Sequence, residues 1–226
     1  MKSSQKHMNR FLRFVFRFVC RIDAQEFKKI PVDGPLILVG NHINFLEVPV
    51  FLPHIDHPNV IGVAKRESWK NPLFNFLFNR WGIIPIDRGM VDREAFQRMG
   101  TALKQNKVLA LSPEGTRSKT GKLLPGKPGI VAIAVKSDAP LLPIGFHGYE
   151  NFWQNFKKFK KTDFKMVVGK PFKLNLNENG LSRDVRQEVT DEIMYKIAEL
   201  LPEYNRGHYQ FENKIEYKYL VPLENE

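Results

Sequence analysis

The sequence predicts an α/β domain in which a mostly parallel central sheet is flanked by helices. Two observations support this fold class. Six short apolar runs, rich in Val, Ile and Leu, have the length and composition of buried strands. Stretches with helical periodicity or helix-start residues lie between and after these runs. Such alternation is typical of parallel sheets that are covered by helices on both faces.

The predicted elements follow in chain order. The strands are 35–41, 59–65, a short one within 81–89, 107–115, 139–148 and 164–172. The helices are 92–105, 126–137 and 182–200. Asp92 and Ser182 are suited to N-cap the first and last of these helices, and Pro128 falls in the first turn of the second.

The length of 226 residues suits one main domain with short appendages. A composition of 42% hydrophobic and 26% charged residues is globular and excludes wholesale disorder. We assign 1–30 to an N-terminal amphipathic helical segment, 31–202 to the main domain and 203–226 to a C-terminal tail. The tail is polar and acidic, and its sequence indicates no role.

The N-terminal segment combines cations with large apolar residues. Arg10, Arg13, Arg17 and Arg21 form one stripe on a helix over 9–22, and apolar residues cover the rest. The stretch is too short and too charged to span a membrane. Arginines within it also argue against a cleaved signal peptide. The pattern favours a helix lying flat on an anionic leaflet over one docked on its own domain, because its apolar residues cover too wide an arc for one-sided docking.

The formal net charge of +11 favours an anionic partner. The excess lies mainly in 1–30 and 151–173, both rich in aromatic residues, whereas 174–226 is acidic. Cations mixed with aromatic rings suit a membrane interface, and they also suit single-stranded nucleic acid. We interpret 151–165 as a second interfacial patch, with a solvated basic loop as the alternative. The single Cys20 excludes an intramolecular disulfide, suits a reducing compartment and, inside the arginine-striped helix, is a poor nucleophile.

Polar clusters follow several of the apolar strands, so they are candidates to meet at one edge of the sheet. The first cluster runs from Asn41 and His42 to Glu47. A carboxylate five residues after a histidine can fix its tautomer, which leaves the other ring nitrogen to take a proton. Alternatively, with Asn44 as N-cap, Glu47 would lie at N3 and complete a helix cap. This motif alone leaves both interpretations open.

Two further clusters place arginine beside glycine in loops at strand ends. They are Ile86-Asp87-Arg88-Gly89 and Pro113-Glu114-Gly115-Thr116-Arg117-Ser118. The forked guanidinium suits a phosphate, and glycine lets the backbone approach a ligand closely. The alternative is a plain loop salt bridge between the acid and the arginine of each cluster. Lys65, which ends a strand, and Lys127, in a Gly-Lys-Pro-Gly turn, are further cationic candidates.

Several common signatures are absent from the sequence. There is no GxGxxG, no P-loop and no GxSxG elbow. His54 and His57 are flanked by prolines, and no third ligand accompanies them, so no metal site is predicted. What remains is general-base activation of a hydroxyl near a bound phosphate, at a membrane.

The order of these clusters resembles the four blocks of the glycerolipid acyltransferase family, and most of all its bacterial 1-acylglycerol-3-phosphate acyltransferases. The blocks are Asn-His-x4-acid, Ile-Asp-Arg-Gly, Pro-Glu-Gly-Thr-Arg-Ser and Leu-Leu-Pro-Ile-Gly, within residues 30 to 175. The resemblance implies a glycerol-3-phosphate acyltransferase-like fold over 31–202. It also implies direct transfer of a fatty acyl group from a thioester to the sn-2 hydroxyl of lysophosphatidic acid, without a covalent acyl-enzyme.

The resemblance also implies roles for individual residues. His42 matches the catalytic base and Glu47 the acid that orients it. The positions matching substrate-binding residues are Asn41, Lys65, Arg88, Glu114, Gly115, Thr116, Arg117 and Lys127. No cofactor is implied beyond the co-substrate, which is an acyl-carrier-protein or coenzyme A thioester. The implied partners are lysophosphatidic acid and an anionic membrane, and nucleic acid is not expected as a partner. The resemblance places the protein on the cytoplasmic face of the cell membrane, as a peripheral or monotopic protein. Residues 1–30 would be its membrane-binding segment.

Two positions depart from the family pattern. The acid is normally Asp, whereas Glu47 adds one methylene here, and Gly126 stands where relatives often have an aromatic residue. These departures are expected to affect rate or substrate preference. The alternatives that stay open are an acyltransferase for another lysolipid or amino-lipid, and a non-enzymatic protein that binds membranes or nucleic acid.

Overall fold

The computed structural model describes residues 3–23, 25–89, 92–176 and 182–223. The strands in this part of the chain are β1 Cys20–Ile22, β2 Leu36–Gly40, β3 Val60–Lys65, β4 Ile84–Ile86, β5 Val108–Leu111, β6 Leu141–His147, β7 Thr162–Val168, β8 Phe172–Leu174 and β9 Leu220–Pro222. The helices are α1 Ser3–Val19, α2 Glu47–Ile55, α3 Pro72–Trp81, α4 Arg93–Lys104, α5 Gly129–Ser137, α6 Phe152–Lys157 and α7 Arg183–Ala198. Three short 3₁₀ turns, Glu26–Lys29, Arg66–Lys70 and Glu203–Asn205, connect some of them.

The strands form one mostly parallel sheet, as predicted. Its order is β1-β7-β6-β2-β5-β3-β4, with β8 paired to β6 and β9 paired to β8. The pairs from β6 through β2, β5 and β3 to β4 are all parallel, whereas β7 and β8 run antiparallel to β6. The carboxyl ends of β2, β5, β3, β4 and β6 therefore lie at one edge, which we call the carboxyl edge.

Helices cover both faces of the sheet because its central strands are apolar on both sides. On one face, α4, α5 and α7 bury Leu103, Val131 and Ile193 against β2 and β5. On the other face, α2 and α3 contribute Val50 and Trp81 to a second core, which also holds Leu38 and Ile144 of the sheet. The central strands are thus hydrophobic throughout, as expected for a doubly covered parallel sheet.

The N-terminal helix differs from the prediction in three ways. It ends at Val19, and Cys20 begins β1, so the expectation that Cys20 lies inside the helix is wrong. Arg13 was predicted to be part of an exposed cationic stripe, but its side chain is bound to the domain. It donates to the carbonyl of Pro53 (2.8 Å) and contacts Asp56 (3.2 Å). One face of α1 therefore docks on the domain despite the wide apolar arc. The opposite face leaves Phe11, Phe14 and Phe18 exposed.

Other boundaries also shift. The strand expected over 164–172 is two strands, β7 and β8. The run 107–115, expected as a strand that continues into a polar loop, does so, and its strand ends at Leu111. Pro128 is the N-cap of α5 rather than part of its first turn. The predicted N-caps Asp92 and Ser182 are confirmed, since each side chain accepts a backbone N–H of its helix. Helices α2, α3 and α6 were not predicted as elements, although the capping alternative at Asn44 implied a helix start near that of α2.

The C-terminal tail packs on the domain over the residues that the structure describes. Strand β9 pairs with β8, and the buried Tyr209 hydroxyl accepts the N–H of Gly126 at 2.8 Å. Asn205 is also buried and donates to the carbonyl of Gly121 at 2.7 Å. No helix among the described residues is both long and apolar enough to cross a bilayer.

Candidate active site

A cavity of about 310 Å³ opens at the carboxyl edge of the sheet. Its polar lining includes Asn41, His42, Glu47, Arg88 and Lys127, which come from two of the predicted clusters and from the Gly-Lys-Pro-Gly turn. Most of the remaining lining is apolar and includes Val48, Phe51, Val63, Phe96, Met99 and Ile133. The predicted convergence of the clusters is thus present for these five residues, and it places a charged rim beside an apolar chamber.

His42 and Glu47 face each other directly after β2. His42 Nδ1 lies 3.3 Å from Glu47 Oε2, an oxygen that is buried and has no hydrogen-bond partner in the described chain. Glu47 Oε1, in contrast, accepts the backbone N–H groups of Ile43 (2.6 Å) and Asn44 (3.0 Å). The alternative in which Asn44 is the N-cap and Glu47 lies at N3 is wrong, since α2 begins at Glu47 and its N-cap is Leu46, which makes no side-chain cap. One oxygen of Glu47 therefore holds the loop before α2, and the other faces His42.

The backbone of His42 is held on both sides by the loop after β5. Its N–H donates to Glu114 Oε1 at 2.8 Å, and its carbonyl accepts the N–H of Ser118 at 2.7 Å. The second oxygen of Glu114 accepts the N–H of Leu124 at 2.9 Å. Glu114 is buried and does not line the cavity, so it positions the histidine loop rather than reaching a ligand.

Burial raises the pKa of Glu114 to about 7. The two backbone donors oppose that rise, and the nearby charge of Glu47 adds to it. The alternative in which Glu114 pairs with Arg117 is wrong, since no ion pair joins these two residues in the structure. The two backbone donors favour the ionised carboxylate, and burial favours the protonated carboxyl group.

The two predicted arginines differ in their relation to the cavity. Arg88 lines it, whereas Arg117 is exposed and outside the lining, near enough for its charge to act on Arg88. Partial burial lowers the pKa of Arg88, and the positive charge of Arg117 lowers it further. Neither arginine has a carboxylate partner within ion-pair distance in the described chain, because Asp87 is bound instead by Arg66 at 2.8 Å. The second salt-bridge alternative is therefore also wrong, and both guanidinium groups are available to an anion.

The remaining predicted residues have different surroundings. Gly115 has a φ of +65°, and a Cβ there would lie 3.1 Å from the side chain of Lys127, so a glycine lets the lysine cross the loop to the cavity. Thr116 is exposed and does not line the cavity. Lys65 is also outside the lining, and it pairs with Glu67 at 3.0 Å.

Asn41 lines the cavity, but its amide is used by the sheet. Its oxygen accepts the N–H of Phe146 at 2.7 Å, and its nitrogen donates to the carbonyl of the same residue at 2.8 Å. The side chain thereby continues the pairing of β2 with β6 past the end of β2. This contact fixes where the next residue, His42, leaves the sheet.

Comparison with known proteins identifies the family. A family model described as Acyltransferase matches residues 21–147, which is more than half of the chain. The chain belongs to the acyltransferase family. The matched residues include His42, Glu47, Arg88, Arg117 and Lys127.

Curated relatives of this chain are named as 1-acyl-sn-glycerol-3-phosphate acyltransferases. One from Bacillus subtilis is 24% identical over 173 residues, covering 76% of this chain and 84% of the relative. A chloroplastic one from Brassica napus is 25% identical over 209 residues, covering 86% of this chain and 57% of the relative. The chain spans about half the length of several such relatives. A crystal structure of the Thermotoga maritima 1-acyl-sn-glycerophosphate acyltransferase has the same fold, with a TM-score of 0.59, 22% identity and coverage of 84% of this chain and 76% of that one.

Sequence reasoning missed one residue that contacts the His42–Glu47 pair. Tyr149 is fully buried, and its hydroxyl donates to Glu47 Oε1 at 2.6 Å. Burial raises the pKa of Tyr149 well above its ordinary range, and the charge of Glu47 raises it further, so the hydroxyl keeps its proton and donates. The ring stacks on Phe164, with centroids 4.6 Å apart. The available signal was a tyrosine directly after Gly148, just beyond the buried fifth predicted strand.

Tyr149 completes an asymmetric set of contacts around Glu47. Three donors hold Oε1, which leaves Oε2 to face Nδ1 of His42. The separation of 3.3 Å is a close approach rather than a formed hydrogen bond. When Nδ1 carries the proton and turns it toward Oε2, Nε2 is unprotonated and can accept a proton. The arrangement can therefore activate a hydroxyl beside a cationic rim and an apolar chamber.

Proposed function

We propose that this acyltransferase transfers a fatty acyl group from a thioester to the sn-2 hydroxyl of lysophosphatidic acid and so forms phosphatidic acid. The observation that carries the proposal is the contact of His42 Nδ1 with Glu47 Oε2 in a cavity that also presents Arg88 and Lys127. A base, a cationic rim and an apolar chamber match the three parts of the acceptor and donor: hydroxyl, phosphate and acyl chain. The names of the curated relatives support the same substrate.

In this mechanism, Nε2 of His42 removes the proton from the acceptor hydroxyl as its oxygen attacks the thioester carbonyl. Glu47 stabilises the resulting imidazolium through Nδ1. The tetrahedral intermediate then collapses, the carbon–sulfur bond breaks, and the proton on Nε2 passes to the leaving thiolate. The histidine returns to its neutral form, and the acyl group moves in one displacement.

A covalent intermediate on cysteine finds no support in this fold. The single cysteine, Cys20, is buried in β1, and burial raises the pKa of Cys20 to about 11. A thiol of that pKa is almost entirely protonated near neutral pH and is a poor nucleophile. Direct transfer needs only the histidine as base.

The phosphate of the acceptor would lie between Arg88 and Arg117, with Lys127 beside them. Two neighbouring guanidinium groups without carboxylate partners repel each other, and an anion between them relieves that repulsion. The acyl chain would occupy the apolar part of the cavity. The donor is proposed to be an acyl-carrier-protein or coenzyme A thioester, since both present an anionic carrier to a basic protein.

We place the protein at the cytoplasmic face of the cell membrane, held peripherally. Phe11, Phe14 and Phe18 on the exposed face of α1 support this location, as do the exposed Arg10 and Arg17 next to them. Aromatic rings mixed with arginine on one helix face suit the boundary of an anionic leaflet. The lipid acceptor is found at the same boundary.

A comparison of acceptors tests the substrate assignment. Purified protein receives an acyl thioester with either lysophosphatidic acid or monoacylglycerol, which lacks the phosphate. We expect lysophosphatidic acid to react at least about tenfold faster, because a charge-assisted phosphate contact contributes roughly 1.5–3 kcal/mol. Arg88→Ala should remove most of this difference and leave the slow reaction of monoacylglycerol unchanged. Equal rates for both acceptors in the wild type would contradict the role of the arginines and redirect the search to other lysolipids.

A further inference from the structure

The helix after β6 carries aromatic rings that the core does not use. Trp153 is 57% exposed, Phe156 is 50% exposed and Phe159 is 99% exposed. The lysines around them, all exposed, are Lys157, Lys158, Lys160 and Lys161. We call these three rings and four lysines the α6 surface. It lies beyond residues 21–147, the part of the chain that the family model matches.

The backbone conformation at Phe159 holds its ring in solvent. It has a φ of +54°, in the left-handed region that side chains other than glycine rarely adopt. The turn is closed on both sides by backbone bonds, from Phe159 N–H to Phe156 and from Lys160 N–H to Asn155. The chain thus holds an almost fully exposed ring in an unfavourable conformation, and no packing in the described structure compensates for it.

The topology of the sheet places the α6 surface at the carboxyl edge. Because β7 runs antiparallel to β6, the start of β7 at Thr162 lies at the same edge as the end of β6. The turn with Phe159 leads directly into Thr162. Strand β1 is parallel to β7, with Cys20 opposite Thr162, so the end of α1 reaches this edge as well. Two basic aromatic surfaces and the cavity therefore share one edge of the molecule.

A ring stack joins the α6 surface to the candidate active site. Phe45 lies between His42 and Glu47 in sequence, and it stacks on Trp153 with centroids 5.3 Å apart. Phe152, which is buried, packs edge-on against Phe45 at 5.9 Å. A ligand that contacts Trp153 would therefore be separated from the His42 loop only by the rings of Trp153 and Phe45.

We infer that the α6 surface is a second membrane contact, which inserts its rings into an anionic leaflet and presents the cavity to the lipid. Four lysines complement the charge of anionic headgroups, and rings of this kind prefer the boundary below them. A flat bilayer can receive rings from α1 and α6 at once, since both elements reach the same edge. The inference rests on the membrane location proposed above.

Vesicle binding tests this surface without using catalysis. Full-length protein is sedimented with vesicles of phosphatidylcholine containing phosphatidylglycerol, and with vesicles of phosphatidylcholine alone. Phe159→Ser should lower the partition coefficient on anionic vesicles at least about tenfold, because one ring no longer leaves water. Lys160→Glu together with Lys161→Glu should lower it further and reduce its dependence on salt, since each lysine contributes about fivefold near an anionic surface.

Matched substitutions at the opposite edge serve as controls. Val221, which is 45% exposed, lies in β9, on the side where β6 begins. Lys104 is exposed at the end of α4, just before the start of β5. Val221→Ser and Lys104→Glu should bind anionic vesicles like the wild type. The emission of Trp153 gives an independent readout: a blue shift on adding anionic vesicles should be present in the wild type and lost in Trp153→Phe.

Several outcomes would overturn the inference. They are wild-type vesicle binding by the Phe159 and lysine variants, an equal loss in the opposite-edge controls, or no blue shift from Trp153. Binding of acyl carrier protein that depends on these lysines, with vesicle binding unaffected, would assign the surface to a protein partner instead. If the α6 variants lose vesicle binding while the wild type binds vesicles but fails to acylate lysophosphatidic acid, the surface stands and the proposed reaction fails alone.

Discussion

Tyr149→Phe is the substitution that most sharply isolates the contacts around Glu47. It removes one hydroxyl and keeps the ring that stacks on Phe164, so it opens no large cavity. Glu47 Oε1 keeps its two backbone donors and loses the third, at 2.6 Å. A buried hydrogen bond to a charged group contributes about 1.5–3 kcal/mol. The carboxylate then gains freedom to turn away from His42.

The loss should appear in both stability and turnover. We expect the free energy of unfolding to fall by about 2 kcal/mol, which lowers the melting temperature by roughly 4–8 °C in a chain of this size. We expect kcat to fall about tenfold, with KM for the acceptor unchanged, because Tyr149 does not line the cavity. Steady-state rates and thermal melts measure the two effects.

The same change at an exposed tyrosine is the control. Tyr204 is 61% exposed, and Tyr204→Phe should leave kcat and the melting temperature as in the wild type. A wild-type kcat in Tyr149→Phe would refute the idea that the third donor to Oε1 keeps Oε2 on the histidine. A rise in KM at constant kcat would also refute it, since that pattern indicates lost binding rather than lost activation.

Three further predictions concern the loops around the relay. Because Glu114 has its pKa raised from 4.5 to about 7, the folded state binds the proton more tightly, so its contribution to stability is full below pH 4.5 and is lost as the pH rises through 7. The change is about 3 kcal/mol by urea unfolding, and it should vanish in Glu114→Gln; an unchanged pH dependence would contradict the assignment. In Glu47→Asp the side chain is one methylene shorter and cannot reach both its backbone donors and His42, so kcat should fall about tenfold. A wild-type kcat in this variant would show that the site does not require the longer side chain. Gly115→Ala places a Cβ 3.1 Å from Lys127 at a φ of +65°, so a melt should show a loss of about 1–2 kcal/mol, and no loss would show that the loop adjusts freely.

Local patterns in the sequence were enough to predict the sheet and the place of His42. Apolar runs identify β2, β3, β5 and β6, and in parallel strands the polar residues at their carboxyl ends must meet at one edge. The alternatives at Glu47 could not be separated from sequence, because a helix cap and a histidine contact require the same carboxylate. In the structure Oε2 faces the histidine, whereas Oε1 holds the loop before α2 and the predicted cap at Asn44 is not formed.

Contacts between distant parts of the chain could not be predicted. Tyr149 meets Glu47 across 102 residues, and Asn41 bonds Phe146 across 105. Lys65 failed for a different reason: its position at the end of a strand did not reveal that its side chain pairs with the neighbouring Glu67 instead of entering the cavity. The docked face of α1 depended on Asp56, which no helical wheel of residues 9–22 contains.

Acyl transfer to lysophosphatidic acid in detergent micelles, measured for wild-type protein and His42→Ala, tests the role of His42 most directly. The wild type should form phosphatidic acid, and the variant should be slower by about 10²–10⁴-fold, with an unchanged melting temperature. Equal rates for the two proteins would contradict the claim that His42 is the base of this reaction.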